Sequence, residues 1–537
     1  MIYLNQFLFN ISQQLRKIYL NSNIYDKKIS NIDNQSLKYK PSPHLFFSIL
    51  RYNKKKIVIE DFDTDKIWED NEINLKEFKK LNNFYWFFSL DLKSSKKKTQ
   101  SIIKNWIKFN NKFNNKSWDF YITAKRIISW LSCHHLTLEG SDKNYIDEFN
   151  KIIKKQTNHL INEINRSELF DDKLIGCAAI ILVGLCYQSE KNYLLYGINI
   201  LKKFTKTSLD ETGFPKSRNI KQLIFQLKYF ILIREWFKES QIPIPEEIDE
   251  TIYYLGQGYA FVWQNISSDI LFNGNNISNN IEFDNYLKRL GYRFKNENHE
   301  FGGYIILKNK KISLSLDAGF SPTQKFSNHY QSGALSFEIT SNGKKLISNC
   351  GYYNQDNKEL CKLSRASATQ STLVIDDQSS CSFNKKNNKW YIKKGLKIID
   401  KKILYDKKYW KIKVSHDGYL KKYNSIHERE IEFYPDQMIF KGTDRILQKK
   451  TNYNLKFDIR FHMEPEVKLM KTQDNKNILI ELINEGWKFS CENFEINIDN
   501  GLYFGKKNFY TENQNISISG ISNKQNENIY WQLSKIK

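Results

Sequence analysis

His329 has the sequence context of a side chain that can take part in acid–base chemistry. It follows a polar segment, residues 321–328 (SPTQKFSN), and directly precedes a predicted strand. A side chain at the end of a loop can reach a cleft, and an imidazole there can take or give a proton near neutral pH. The same position also suits a structural histidine that bonds to a loop carbonyl.

Carboxylates and cysteines give weaker signals. Asp171, Asp172 and Asp210 are available for a hydrolase, which needs two carboxylates flanking the bond that it cleaves, but nothing in their spacing selects a pair. The seven cysteines form no CxxC spacing in this chain of 537 residues. This pattern indicates neither a disulfide framework nor a zinc ribbon.

The chain is strongly basic. Its 83 Lys and Arg exceed its 59 Asp and Glu, which gives a formal charge of +24. Such a balance favours a polyanionic partner, although a chain rich in Lys, Asn and Ile is also what an AT-rich coding sequence would produce. No Arg-rich tract or nucleic-acid motif is visible, so a nucleic-acid partner is not expected. With 40% hydrophobic residues, wholesale disorder is excluded.

Two halves of the chain differ in hydrophobic period. From about residue 76 to 285, apolar residues recur at helical spacing with short connections, which indicates antiparallel helix pairs. After about residue 290 the period becomes two, and many short strands alternate with Asn, Gly or Asp turns. The predicted fold is therefore α+β with two domains, a helical domain at 76–285 and an antiparallel β-sandwich at 286–537.

Residues 1–75 are predicted as a mixed N-terminal extension that begins with an amphipathic helix. The first twenty residues lack a basic region followed by an apolar one, so no signal peptide is visible. The longest nearly apolar run, residues 175–187, is too short for a membrane span. We therefore expect no transmembrane segment.

Several short stretches, in order along the chain, resemble the heparinase II/III family of polysaccharide lyases, and most of all its proteobacterial heparinase II/III-like branch. In the helical half these are WDFY (118–121) followed by Arg126 and Trp130, GFPKSRN (213–219) and FNG (272–274). The β half contributes LDAG (316–319), HYQSGALSFEI (329–339), LISNCG (346–351), LSRASATQSTLVID (363–376), SHDGY (415–419), HER (427–429) and FKGTDRI (440–446). The resemblance implies an N-terminal (α/α) toroid, a C-terminal β-sandwich and a polysaccharide cleft.

The resemblance also implies β-elimination at a uronate. The proton beside the carboxylate is poorly acidic, so an amide, a cation or a protonated acid must first offset the carboxylate charge. A His or Tyr then removes the proton, and a second such group protonates the departing oxygen. By family pattern, His329 is the sandwich histidine. Tyr330, Tyr352 or Tyr353 could supply the phenol, although each of the three more simply packs in the core, and Tyr330 is the one that we expect in the catalytic set.

The metal ligands of some family members are replaced in this chain. In the family pattern H-x-H-x-D-x-L-S-F, His329 keeps the first histidine, whereas Gln331 and Gly333 stand at the next two positions. Asn349 and Gln370 replace a further Asp and His. Neutral amides are poor zinc ligands, so we expect neither a metal nor another cofactor. Gln331, Asn349 and Gln370 could instead form a hydrogen-bonded cluster.

The toroid positions of the family have also changed. Its NNHL motif corresponds to residues 171–174 here, where Asp172 has the wrong charge to neutralise a uronate and Lys173 has the right one. Expected substrate-binding residues are the cations that can grip a carboxylate, the aromatic ring that can stack on a sugar and the two amides: Arg126, Arg218, Arg365, Trp118, Gln331 and Gln370. Aromatic residues at helical spacing are more often core residues.

These observations favour a lyase acting on an acidic polysaccharide or oligosaccharide. The alternative is a relative that binds glycans and has lost the chemistry, which the replaced site residues favour. A hydrolase and a nucleic-acid binder follow in that order. The family implies a periplasmic or cell-envelope location, whereas the absence of a visible signal peptide leaves a cytoplasmic one open. The glycan and the oligomeric state are not predicted.

Overall fold

The structure is a computed structural model. It describes residues 2–30, 37–50, 57–59, 68, 73–91, 93–187, 191–278, 280–386, 389–449, 454–506 and 509–536. The α-helices are α1 (Ile2–Leu20), α2 (Asn23–Ile29), α3 (Pro43–Leu50), α4 (Leu75–Asn82), α5 (Lys96–Asn110), α6 (Phe120–Ser132), α7 (His134–Thr137), α8 (Lys143–Glu163), α9 (Phe170–Cys186), α10 (Lys191–Ser208), α11 (Ile220–Glu239), α12 (Glu246–Tyr259), α13 (Ile281–Arg289), α14 (Lys358–Leu363) and α15 (Leu420–Tyr423).

In the described ranges, every strand follows residue 299. They are β1 (Glu300–Phe301), β2 (Tyr304–Lys308), β3 (Ile312–Asp317), β4 (Phe337–Ser341), β5 (Lys344–Ile347), β6 (Leu373–Ile375), β7 (Ser382–Lys386), β8 (Lys389–Lys394), β9 (Ile398–Tyr405), β10 (Trp410–His416), β11 (Ser425–Tyr434), β12 (Ile439–Gln448), β13 (Leu455–His462), β14 (Lys468–Lys471), β15 (Asn477–Leu482), β16 (Glu485–Cys491), β17 (Glu495–Tyr503), β18 (Thr511–Ser522) and β19 (Asn526–Lys535).

Contacts divide the chain into two interleaved units. The helical unit comprises Met1–Ser208, Phe225–Tyr253 and Ile281–Tyr292. The β unit comprises Leu209–Ile224, Tyr254–Asn280 and Arg293–Lys537. Two segments that precede the strands in sequence thus belong to the β unit. The sequence-based division at 75/76 and 285/286 stays a prediction about domains, and the contact-based units do not follow those cuts.

The core of the helical unit is built around α9. Every residue of α9 from Leu174 to Cys186 is buried, as expected of a helix that is apolar on all sides. This helix packs against α6 and α10. A Cβ on Gly184 would lie 2.6 Å from the backbone nitrogen of Leu194, so the glycine permits the close approach of α9 and α10.

The β unit contains sheets that are antiparallel throughout. A five-stranded sheet has the order β1-β2-β3-β4-β5, an eight-stranded sheet the order β14-β15-β16-β19-β12-β11-β10-β9, and a four-stranded sheet the order β17-β18-β13-β6. These three sheets share one hydrophobic core, which includes Leu316, Phe337, Phe461 and Trp531. Strands β7 and β8 form a separate two-stranded hairpin.

The expected order of a helical region followed by an antiparallel β region is confirmed. Within the helical half, apolar residues at helical spacing predict helices at residues 145–164, 174–186, 193–204 and 220–237, and the structure has α8, α9, α10 and α11 at these places. The sequence NKWYIKKGLKIID (388–400) predicts one strand, of which residue 388 lies outside the described residues. The structure divides it at Gly395, where a Cβ would lie 2.1 Å from the Ser321 hydroxyl, into β8 and β9. None of the helices in the described ranges has the length and apolar character that crossing a bilayer requires.

Candidate active site

Arg218 makes buried contacts that hold the backbone around the candidate site within the β unit. It lies in the loop before α11, with a left-handed φ of 58°. Its guanidinium donates to Asp317 at 2.5 Å and to the Gly303 carbonyl at 2.9 Å, and it lies 4.7 Å from the centre of the Tyr304 ring. A Cβ on Gly319 would lie 2.3 Å from the guanidinium carbon, so this glycine leaves room for the side chain.

The second oxygen of Asp317 fixes a turn formed by residues 272–274. It accepts a hydrogen bond from the Asn273 amide at 2.9 Å, and the same amide donates to the Tyr304 hydroxyl at 2.8 Å. The positive charge of Arg218 is therefore paired with the buried carboxylate of Asp317. The sequence predicts it as a carboxylate-binding residue, and the structure instead engages it in holding this turn.

Gly274 brings the turn against His329. Its φ is 86°, which glycine adopts at little cost. A Cβ at this position would lie 2.9 Å from both the Cβ and the carbonyl oxygen of His329, and 2.6 Å from the Asn219 amide nitrogen. The turn therefore sets the position of the histidine backbone.

Gln331 ties the same turn to two other loops. Its side-chain oxygen accepts from the Gly274 N–H at 2.9 Å, and its side-chain nitrogen donates to the carbonyls of Gly351 and Ser364 at 2.9 and 2.5 Å. The side chain is fully buried. With its amide occupied by backbone groups, Gln331 is engaged in structure rather than presented to a substrate.

His329 itself is half-buried and makes two hydrogen bonds. Its Nε2 lies 3.1 Å from the side-chain nitrogen of Asn328, and its Nδ1 lies 3.1 Å from the hydroxyl of Tyr352. Because an amide nitrogen only donates, Nε2 accepts and carries the lone pair. Nδ1 therefore carries the proton and donates it to Tyr352.

Arg365 completes this arrangement from the other side of Tyr352. One terminal nitrogen donates to the Tyr352 hydroxyl and the other to the Tyr330 carbonyl at 3.1 Å. Its Nε is buried and has no hydrogen-bond partner among the described residues. The Tyr352 oxygen thus accepts from both Arg365 and His329, which directs its own hydrogen away from them.

The electrostatics keep His329 neutral. Burial is the main reason that the pKa of this imidazole falls to about 3. Positive charges lower it further, those of Arg365, Lys221 and Lys389. Burial raises the pKa of the Tyr352 phenol, an effect that the charge of Arg365 partly offsets. The pair at neutral pH is therefore an uncharged imidazole beside an un-ionised phenol.

Tyr330, the expected phenol, lies elsewhere. It is fully buried in a small apolar cluster with Ala334, Cys381, Ile392 and Leu396. Its hydroxyl has no hydrogen-bond partner among the described residues. Tyr352 rather than Tyr330 is the phenol that the structure brings to His329.

Two sequence-predicted residues lie in the interior of the helical unit. Arg126 is fully buried and donates to the carbonyls of Asn82 and Ser117, each at 2.9 Å, and to Gln156 at 3.0 Å. Trp118 is also fully buried, and its indole donates to the Asn110 carbonyl at 3.0 Å. This differs from the expected sugar-binding roles, because neither side chain is presented at the surface of its unit.

Asp172 and Lys173 lie in the first turn of α9, in the helical unit, and both are half-buried. The negative charge of Asp172 contributes to the raised pKa of the buried Tyr229, for which burial is the main cause. The structure does not join these two residues to His329 in one unit, and their catalytic roles stay predictions.

The remaining amides do not form the expected cluster. The Asn349 side chain accepts from the Ser371 N–H at 2.7 Å and donates to Glu338 at 3.3 Å. Gln370 is buried, and its amide donates only weakly to Thr369, at 3.4 Å. No hydrogen bond joins any two of Gln331, Asn349 and Gln370. In the described part of the chain, no group of three or more His, Cys, Asp or Glu side chains is arranged to hold a metal ion.

His416 and His427 lie in a buried hydrogen-bond network of the eight-stranded sheet. His427 bonds to Asp444 at 2.7 Å, and the same carboxylate accepts from Arg429 at 2.7 and 3.1 Å. Arg429 also donates to the Leu335 and Ser371 carbonyls, at 2.8 and 2.7 Å. This network supports the strands rather than a site.

Sequence reasoning missed Asn328, Lys221 and Lys389. The first could have been found as the neighbour of His329, since adjacent polar side chains in a loop often orient each other. The two lysines had no signal in a chain with so many of them, because only the folded β unit brings their charges to bear on the imidazole.

Known proteins resemble this chain in part of its sequence and in its fold. Residues 297–532 match the sequence model of the family described as Heparinase II/III-like, C-terminal. Among curated proteins, none matches the sequence. Several solved structures share the fold across nearly the whole chain.

The heparan sulfate lyase HepC from Pedobacter heparinus, in a mutant form, has a TM-score of 0.69 at 13% identity, with 96% of this chain and 87% of that chain covered. A heparinase III, the product of the BT4657 gene, also has a TM-score of 0.69 at 13% identity, with 94% and 86% covered. A further heparinase III has a TM-score of 0.68 at 15% identity, with 96% and 89% covered. The β unit therefore carries a match to the heparinase II/III-like C-terminal domain, and the chain has the fold of these lyases.

Proposed function

We propose that this chain is a polysaccharide lyase that cleaves a uronate-containing glycan by β-elimination, in the manner of the proteobacterial heparinase II/III-like branch. The observation that supports this most is the hydrogen-bonded pair of His329 and Tyr352 beside three cations. An (α/α) toroid for the helical unit belongs to the same proposal.

The pair gives a complete path for the proton. When the substrate displaces the Asn328 amide from Nε2 of His329, this nitrogen removes the proton from the carbon beside the uronate carboxylate. The electrons of that C–H bond form a C=C bond, and the C–O bond of the linkage breaks. Tyr352 donates its hydroxyl proton to the departing oxygen, and Nδ1–H of His329 restores the phenol. The imidazole ends as the opposite tautomer, so no net proton is gained or lost.

The cations stabilise the charge that builds up during this step. As the proton leaves, negative charge moves onto the carboxylate, and fixed positive charges near it lower the barrier. Lys221 is exposed and Lys389 is half-buried, so both can meet an anionic group from solvent. Lys173 is a further candidate from the helical unit. Asp172, if ionised, would oppose this effect.

Binding of an anionic substrate also makes His329 a stronger base. In the free protein three positive charges act on His329, which makes it a weak base. A carboxylate placed among them adds an opposite charge, which favours the imidazolium and raises the pKa of His329. The histidine thus becomes more basic when the anionic substrate is present.

A glycan-binding relative without activity is the second candidate. The observation that favours it is the replacement of the metal-binding side chains by Gln331, Asn349 and Gln370, of which Gln331 is bonded to backbone groups. Such a protein would keep the cations and lose the elimination step.

Elimination creates a C=C bond conjugated with the carboxylate, which absorbs in the ultraviolet, whereas binding and hydrolysis do not. The test is to incubate the protein with a panel of acidic glycans and to follow this absorbance. We expect His329→Ala to lower the rate by at least about 100-fold. The exposed His44→Ala is the matched control and should keep the full rate. An unchanged rate in His329→Ala would refute the site, and no absorbance with any glycan would favour the binding protein.

A further inference from the structure

The hairpin of β7 and β8 is unusually basic. From residue 378 to residue 399 the sequence contains six lysines and no Asp or Glu. Within the hairpin, Lys385, Lys386 and Lys393 are exposed. None of these three lies within ion-pair distance of a described carboxylate. Other lysines of the β unit are paired, as in the contact of Lys411 with Glu432 at 3.1 Å.

The hairpin is fixed next to the segment that carries His329. The Ile392 N–H donates to the Ser327 hydroxyl at 2.9 Å, and the Leu396 N–H donates to the Ser321 hydroxyl at 2.9 Å. Ile392 also packs in the cluster of Tyr330, and Phe383 packs against it. These contacts hold the lysines of the hairpin beside the candidate active site of the same unit.

The charge of the hairpin reaches the imidazole. Lys389, in β8, is one of the three cations that lower the pKa of His329. Lys385 lies on the opposite strand in register with Trp390, with its ammonium 5.6 Å from the ring centre. Positive potential therefore extends from His329 along the hairpin, away from the atoms that would react.

We propose that the β7–β8 hairpin is a second anion-binding surface, which holds the part of an anionic polysaccharide chain next to the linkage at His329. This inference rests on the proposed function for the identity of its ligand. Charge complementarity and the direct link to the His329 segment argue for the polysaccharide substrate as the occupant. The surface would make the protein favour long, highly charged chains over short fragments.

The experiment measures binding without turnover. In the His329→Ala background, Lys385, Lys386 and Lys393 are replaced together by Gln, and affinity for fluorescently labelled heparan sulfate chains is measured at low and at physiological salt. The matched control replaces Lys344, Lys468 and Lys476, three exposed lysines elsewhere in the β unit, with the same loss of charge. Circular dichroism establishes that both variants are folded.

We expect the hairpin variant to bind about tenfold more weakly and with a smaller salt dependence, whereas the control changes by less than about twofold. A disaccharide from the same glycan should show no difference between the variants. Equal affinity of the hairpin and control variants for the polymer would overturn the inference. Tighter binding of duplex DNA of matched charge, with the same dependence on these lysines, would overturn the polysaccharide as occupant.

The absorbance assay on the unmodified protein reports separately on the proposed function. Glycan cleavage together with an unimpaired hairpin variant would reject the surface and keep the lyase. Lysine-dependent binding without cleavage of any glycan would keep the surface and reject the lyase.

Discussion

Nδ1 of His329 lies 3.1 Å from the hydroxyl of Tyr352, a residue 23 positions further along the chain. The same hydroxyl accepts from Arg365, so one phenol links an imidazole to a guanidinium. This geometry separates the two ends of a hydrogen-bond path, with the lone pair of His329 Nε2 at one end and the hydroxyl hydrogen of Tyr352 at the other.

Removal of the Tyr352 hydroxyl should abolish most of the proposed elimination activity. We expect Tyr352→Phe to lower kcat by about 100-fold or more, because the departing oxygen loses its proton donor, while KM changes little. The ultraviolet assay measures both constants. The neighbouring Tyr353→Phe is the control, since Tyr353 packs on Phe504 and does not contact His329. Equal rates for the two variants would contradict the proton path.

The buried pair of Arg218 and Asp317 should matter far more for stability than an exposed pair of the same length. Asp317→Asn leaves a buried guanidinium without its counter-charge, and we expect it to cost about 3–5 kcal/mol of unfolding free energy. Arg234 and Asp249 are also joined at 2.5 Å, but Asp249 is half exposed, so Asp249→Asn should cost at most about 1 kcal/mol. Denaturant unfolding followed by circular dichroism compares the two variants. Similar losses of unfolding free energy would show that the buried pair contributes no more to stability than the exposed one.

Gly274 and Gly343 separate backbone strain from contact with His329. Both have a positive φ, 86° and 78°, but a Cβ on Gly343 meets nothing within 4 Å. Gly343→Ala should therefore cost only about 1 kcal/mol of strain and keep full activity. Gly274→Ala adds the clash with His329, so we expect a larger loss of stability and a fall in kcat. Full activity in Gly274→Ala would show that the turn does not position the histidine.

Acid should destabilise the protein through buried neutral histidines. His159 bonds to Tyr25 and to the Trp118 carbonyl, and burial lowers its pKa from 6.5 to about 4. Between these values the unfolded chain binds a proton that the folded protein does not. The stabilisation that neutral His159 contributes is therefore complete above about pH 6.5. As the pH is lowered toward 4, the unfolding free energy falls by about 3 kcal/mol in all.

This prediction is measured by denaturant unfolding across that pH range. His159→Gln keeps a donor for the Trp118 carbonyl but cannot titrate, so its unfolding free energy should depend less steeply on pH. The exposed His44→Gln should keep the slope of the unmodified protein. An identical slope in all three proteins would show that His159 does not contribute.

We expect the proposed activity to need no bound metal. The position of one expected ligand is held by Gln331, whose amide is fully used by the backbone of residues 274, 351 and 364. We therefore expect far less than one zinc per chain by elemental analysis and an unchanged rate after chelation. Tightly held stoichiometric zinc would contradict this.

Sequence periodicity predicts the long elements well. The ends of α9 and α11 lie within four residues of their predicted positions, because apolar residues on these helices mark the core directly. Strand β7 was not predicted, since its sequence SFNKK has little apolar alternation. Gly395 breaks a predicted strand because of Ser321, 74 residues earlier, and no local pattern reveals such a contact.

The candidate site is predicted only in part for the same reason. His329 stands out by its loop position, but its partner is one of three neighbouring tyrosine candidates, and only the fold selects Tyr352. For Arg126 and Arg218 the residue type suggests carboxylate binding. In the fold both side chains are buried and bonded to carbonyl or carboxylate groups, many of which are distant in sequence. Asp317, for example, is 99 residues from Arg218.

The interleaving of the two units bears on how the gene can be divided. A fragment that starts at residue 286 would contain every strand of the described residues, yet it would leave behind Arg218 and Asn273, whose side chains donate to Asp317. That carboxylate would then lie among strands without a counter-ion. Recombinant expression of the β region alone should therefore yield insoluble protein. Exchange of this region between relatives by a single crossover should fail, whereas a graft of the three segments of the β unit, Leu209–Ile224, Tyr254–Asn280 and Arg293–Lys537, should succeed.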